Sequence, residues 1–180
     1  SAWHLTQMIE DSLQSVRIEA GLTTLDNQSV DVAGLVREVA QLTEPLVQAK
    51  NLELNVQCES GPPIIADPTR IRQILFNLIG NAVRYCDIGS VTISSCITDH
   101  GAEIKIEDTG IGISNENLEK IFERFWQVDQ TRTRLRGGTG LGLMVSRSLA
   151  RAMGGELNVT SELGKGSRFI VRLPMVGPEV

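Results

Sequence analysis

Asp108-Thr109-Gly110-Ile111-Gly112-Ile113 sets a carboxylate directly before a bend punctuated by two glycines. The residues ahead of it, Glu103-Ile104-Lys105-Ile106-Glu107, alternate polar and apolar with the period of a half-buried strand. Asp108 is thus carried on a strand end, and the glycines let the backbone turn sharply beside it. A carboxylate so placed is an acceptor at the lip of a pocket, or it caps a following helix or closes an Asx-turn. Two further stretches tilt the reading toward a nucleotide site. Asn77 to Arg84 lies on a helix upstream, and Gly137-Gly138-Thr139-Gly140-Leu141-Gly142 leads into a helix downstream.

The 180 residues suffice for one domain with a real core and an additional piece, since domains most often run to about 100–150 residues. An apolar fraction of 41 % and a charged fraction of 22 % are ordinary for a soluble globular chain, and no apolar run reaches the ~20 residues of a membrane span. The formal net charge of −5 argues against a general nucleic-acid surface. Cys58, Cys86 and Cys96 are odd in number and lack CxxC spacing, so neither a disulfide framework nor a zinc site is expected, and a reducing cytoplasm fits best. No signal-peptide pattern opens the chain, and Ser1 in place of Met points to an excised piece.

Upstream of the bend, Leu5, Ile9, Leu13, Val16 and Ala20 form a narrow apolar stripe on an otherwise polar helix, which Gly21 stops. The helix either packs on its own domain or ends a preceding dimeric hairpin; the polar connector from Thr23 to Ser29 favours the second. Residues 1–22 are then the end of that hairpin, 23–30 a linker, 31–174 the compact domain and 175–180 a polar tail. Val32, Leu35, Val36, Val39, Leu42 and Leu46 predict a helix over 32–49, with Pro45 near its end. Strands follow at 52–57 and 64–66. Asp67-Pro68 starts a helix as N-cap and N1 proline, with Ile71, Ile74, Leu75, Leu78, Ile79 and Ala82 as its buried face. Asn77, Asn81 and Arg84 share another face, and two asparagines there are poor helix chemistry without a task.

Downstream, residues 91–98 and the strand ending at Asp108 read as a hairpin, and a short helix is expected to end near Phe122. Phe122, Phe125 and Trp126 read as an aromatic hinge packed on the domain. The polar stretch 127–136, with Arg132, Arg134 and Arg136, reads as a lid with a basic face. A second hairpin over 157–173 closes the domain. The glycine run is no dinucleotide fingerprint, because Leu143 stands where the last glycine would be and no strand precedes it. Gly164-Lys165-Gly166 lacks the serine or threonine and the earlier glycine of a P-loop. What stays is either a flexible linker or, given the helix that follows, backbone amides arranged at a helix N-terminus for phosphate.

Taken together, the four stretches resemble the boxes of the sensor histidine kinases. Asn77 to Tyr85 is similar to the N box, Asp108 to Gly112 to the G1 box, Phe122 to Phe125 to the F box and Gly138 to Gly142 to the G2 box, in family order and spacing. Arg17 to Gly21 resembles the junction after the family's dimerisation and phosphoacceptor hairpin. The resemblance implies a Bergerat fold, an α/β sandwich with a mixed, mostly antiparallel sheet covered by three helices. It implies ATP and Mg²⁺ as ligands, with Asn81 giving an oxygen to the metal, Asn77 supporting its water shell and Arg84, where lysine is commoner, meeting a phosphate. Tyr85 would line the cleft and Asp108 would accept from the adenine amino group, while Gly110 and Gly112 keep side chains out of the base pocket. Ile111, Ile113, Phe122, Leu141 and Leu143 complete the implied nucleotide contacts. Gly138, Gly140 and Gly142 would offer amides to phosphate, with Thr139 an extra donor and Arg132 or Arg134 reaching the γ-phosphate.

ATPase relatives of this fold carry a water-activating glutamate where Asn77 stands, and an amide is no general base. Hydrolysis as the main activity is therefore not expected. The implied activity is a protein histidine kinase, whose acceptor histidine lies on another domain; neither His4 nor His100 has the acceptor context. Implied partners are that domain, its dimer mate and a response-regulator receiver domain, with no nucleic acid and no direct membrane contact. A catalytically inert, nucleotide-binding regulatory module is the alternative, and an anti-sigma-type serine kinase a third reading.

Overall fold

The alternating stretch ahead of Asp108 is a strand in the computed structural model, which describes residues 24–126 and 139–178. In chain order the elements are β1 (Gln28–Val30), α1 (Val32–Gln48), β2 (Glu53–Cys58), β3 (Ile64–Ala66), α2 (Pro68–Tyr85), β4 (Ser90–Thr98), β5 (Gly101–Asp108), α3 (Gly142–Ala152), β6 (Glu156–Glu162) and β7 (Gly166–Pro174). Five strands form one sheet in the order β2-β4-β5-β7-β6, with β2 parallel to β4 and the other neighbours antiparallel. The three helices pack on one face of it, the α/β sandwich expected. Residues 1–22, the expected lid at 127–136, and Gly137 and Gly138 lie outside the described residues. No helix among the described residues is long and apolar enough to cross a membrane.

Register decides where the core ends and the site begins. Side chains alternate across a strand, so β5 turns Ala102, Ile104, Ile106 and Asp108 toward the helices. Pairing with β7 sets these four beside Leu173, Val171, Phe169 and Ser167. The apolar rows thus give way at Asp108 and Ser167 to a polar one, which β6 continues with Ser161. Burying each large aliphatic side chain of the inner rows contributes about 1.5–3 kcal/mol, and this holds Asp108 on a fixed strand end.

Several expectations are corrected in detail. Leu42 and Leu46 are exposed, at 61 % and 50 %, because the buried stripe of α1 runs through Val36, Val39, Ala40, Thr43 and Val47 instead. Thr43 takes a core position because its hydroxyl donates to the carbonyls of Val39 and Ala40 within its own helix. The short helix expected before Phe122 is two 3₁₀ turns, Asn115–Asn117 and Lys120–Phe122, for which Ser114 provides no side-chain cap. Residues 28–30, within the expected linker, form β1 and pair with β3. Residues 175–177, within the expected polar tail, pair back onto β3. The Ile65 N–H donates to the Met175 carbonyl, and the Gly177 N–H to the Ile65 carbonyl, both at 2.8 Å.

Candidate functional site

α2 is built as its sequence dictates. Asp67 sits outside the helix and its Oδ1 accepts from the N–H groups of Thr69 and Arg70 at 2.9 and 3.1 Å, with Pro68 at N1. Ile71, Ile74, Leu75, Leu78 and Ile79 go into the core, which turns Asn77, Asn81 and Arg84 toward a cavity of about 720 Å³. Asn77 Nδ2 donates to the Gly142 carbonyl and to Ser146 Oγ, both at 3.2 Å. Its amide donor is therefore committed to bracing α2 against the first turn of α3, a task the sequence reading did not assign it. Asn81 Oδ1 accepts from Arg84 Nη1 at 3.4 Å.

Asp108 enters the same cavity from the end of β5. The Asx-turn and the pocket acceptor prove compatible: the Gly110 N–H donates to Asp108 Oδ1 at 2.8 Å while the carboxylate also faces the cavity. A carboxylate has about four acceptor positions, so two backbone donors, Gly110 and Ser167, leave room for a ligand. Burial pushes the Asp108 carboxyl above the usual aspartate range, opposed by those two N–H groups.

The glycines beside it also answer a close approach of backbone. A β-carbon on Gly110 would collide with the Tyr85 carbonyl, and one on Gly112, at φ +68°, with the Glu162 carbonyl. They let the bend pack against the end of α2 and the β6–β7 turn, and only Gly112 lines the cavity. Gly140 has the same character: at φ +70°, a β-carbon would lie 2.8 Å from Phe125 Cα, and its carbonyl accepts from the Phe125 N–H at 3.0 Å. Thr139 Oγ1 accepts from the Leu141 N–H at 3.2 Å and closes the turn into α3.

Of the residues expected to contact nucleotide, Tyr85, Ile111, Ile113, Thr139, Gly140, Gly142 and Leu143 line the cavity. Leu141 does not; at 1 % exposure it is a core residue whose side chain anchors the start of α3. Phe122 does not either, because its ring packs on the core beneath the Arg147 guanidinium, and Ile121 lines the wall in its place. Arg132, Arg134 and Gly138 lie outside the described residues. The sequence reading missed Thr69, Gln73, Phe76 and Gly80, although they share the α2 face of the asparagines at helical spacing. It also missed Ser167 and Phe169, which only the β5–β7 register brings beside Asp108 and Ile106.

The sequence pattern of the family described as histidine kinase-, DNA gyrase B- and HSP90-like ATPases matches residues 66–177, from the end of β3 to beyond β7. Aerobic respiration control sensor protein ArcB of Escherichia coli K12 is 40 % identical over all of this chain and 24 % of its own length. Sensor protein GacS of Pseudomonas syringae pv. syringae is 36 % identical over 97 % of the chain and 20 % of its own length. The chain thus spans about a quarter or less of these curated relatives. Among solved structures, full-length ShkA in complex with AMPPNP superposes with a TM-score of 0.86 at 35 % identity, covering 98 % of this chain and 37 % of that one. The chain belongs to the histidine kinase-, DNA gyrase B- and HSP90-like ATPase family, and the proteins similar to it include the sensor histidine kinase GacS of Pseudomonas protegens, 36 % identical over 96 % of the chain and 20 % of its own length.

Proposed function

We propose that this chain is the ATP-binding catalytic domain of a two-component sensor kinase, transferring the γ-phosphoryl of Mg²⁺-ATP to a histidine on a separate helical domain. The observation that carries this reading is convergence: one carboxylate, two asparagines, an arginine and a glycine turn, from three distant stretches, line a single cavity of nucleotide size. Asp108 would accept from the adenine amino group, and Tyr85, Ile111 and Ile113 would flank the base. Arg84 and the N–H groups opening α3 would meet phosphate, where a helix N-terminus favours negative charge.

Mg²⁺ takes oxygen ligands and keeps several waters, so it needs few protein donors. Asn81 Oδ1 is such a donor, and no cluster of three or more His, Cys, Asp or Glu forms a cage among the described residues. This donor set fits a cation held chiefly through phosphate oxygens, and when bound it would neutralise phosphate charge. Of the described residues lining the cavity only Asp108 is a carboxylate and none is histidine. No base is in place on α2 to activate water, which supports transfer to an incoming imidazole over hydrolysis. The chain's part in that transfer is positioning and charge neutralisation.

On this reading its partners are the phosphoacceptor hairpin, the dimer mate and a receiver domain. Joining the chain to a phosphoacceptor hairpin of the family and supplying labelled ATP tests it. Acid-labile, base-stable phosphate on the hairpin is expected. Bound ATP with no phosphate transferred would contradict the reading and favour the inert regulatory module.

A further inference from the structure

Part of the cavity wall comes from the turn after β5, where Ile121 and Trp126 line it. That turn is built from 3₁₀ pieces with local bonds, and Phe125 holds a φ of +60°, a conformation a bulky residue keeps only when its surroundings impose it. One side chain of α3 engages the turn directly. The Arg147 guanidinium carbon lies 4.4 Å from the centroid of the Phe122 ring, and Nη1 approaches Glu119 Oε2 at 3.5 Å. Its Nε meets Glu156 Oε1 at 3.2 Å, and Arg151 meets the same carboxylate at 2.9 Å. Only 21 % of the Arg147 side chain is exposed.

We infer that Arg147 is a positioning residue for the nucleotide site, clamping residues 119–126 onto α3 so that Ile121 and Trp126 complete the cavity wall. This inference rests on the nucleotide reading of the cavity given above. The geometry suits arginine in particular, because a planar guanidinium stacks on a ring while its edge N–H groups bind carboxylates. Lysine can place a charge over Phe122 but has no fork with which to hold Glu119 and Glu156 together. Glu156 is itself fixed. Burial pushes its carboxyl up, yet hydrogen bonds from Arg151, the Leu157 N–H and Arg147 outweigh this and leave it below the usual range. The anchor is therefore charged at neutral pH.

The test pairs affinity with local hydrogen exchange in the chain, using AMPPNP as the probe. Arg147→Met is expected to weaken AMPPNP binding several-fold and to speed amide exchange at 119–126, leaving exchange in α2 and β4–β5 unchanged. Arg147→Lys should fall between Arg147→Met and the parent. Should Arg147→Met not fold, Phe122→Leu removes the stacked ring while keeping apolar bulk, and the same local signature is expected. Parent-like affinity in the folded variant overturns the inference, as does faster exchange spread over the whole sheet, which marks a general structural role. A parent chain that binds no AMPPNP overturns the nucleotide reading first, and this inference with it.

Discussion

Burial raises the Asp108 carboxyl above its ordinary range, which makes its effect on stability depend on pH. Below the unfolded-state pKa both states are protonated and the group has no effect on stability. As pH rises through the raised folded value, the folded chain holds a charge that the unfolded chain holds more easily, so ionised Asp108 lowers stability at neutral pH. Asp108→Asn should therefore unfold at or above the parent's temperature at neutral pH, and the difference should shrink on acidification; thermal scans at both ends check this. The same change removes a charged acceptor for an adenine amino group. Hydrogen bonds to charged groups contribute about 1.5–3 kcal/mol, so AMPPNP affinity should fall roughly ten- to a hundred-fold. Stability kept while affinity is lost is the pattern of a residue placed for binding. Asn81→Ala should likewise leave the fold intact, because its side chain accepts only a long, 3.4 Å hydrogen bond from Arg84 among the described residues, yet it should abolish the Mg²⁺ dependence of binding. Unchanged Mg²⁺ dependence would remove Asn81 from the metal's ligands.

Among the elements, α2 joins the core to the site, and Asp67 is where its geometry is set. One carboxylate oxygen caps the helix, and the other accepts from the Asp26 N–H at 2.9 Å, tying in the strand that enters from upstream. Asp67→Ala should cost about 1 kcal/mol from the cap alone. Asp67→Asn, whose amide oxygen caps as well but whose NH₂ group cannot accept from the Asp26 N–H, should recover most of that while loosening the segment at Asp26, as amide exchange would report. Gly80 offers a converse case. A β-carbon there would meet nothing within 4 Å, so Gly80→Ala should stabilise the helix by about 0.5–1 kcal/mol, and a lower melting temperature would show that the position is not open.

Across the whole molecule, the legible features were those whose signal is local. The Asp67-Pro68 start, the Ile71 to Ala82 stripe and the strand ending at Asp108 are written in neighbouring residues, and all stand in the fold. What escaped was set by pairing at a distance. β1 and the segment after Pro174 look polar and loose by composition, yet both join β3, an arrangement that only the tertiary fold creates. Ser167 and Phe169 reach the cavity through a register with Asp108 and Ile106, distant in sequence, and no local pattern announces that. Asn77 was legible as a residue with a task, but its partner Ser146 was not, because a serine on a helix gives no sign of which helix it will face. The glycines of the bend were legible as necessary, and their neighbours, the Tyr85 and Glu162 carbonyls, became evident only in three dimensions.

The central claim is that these distant stretches form one Mg²⁺-dependent ATP site, and a calorimetric titration of the chain with AMPPNP, with and without Mg²⁺, tests it most directly. The account predicts saturable binding in the micromolar to sub-millimolar range that weakens when Mg²⁺ is withdrawn and falls roughly ten- to a hundred-fold in Asp108→Asn. An absence of binding with Mg²⁺ present, in a chain whose fold is verified in the same sample, would contradict it.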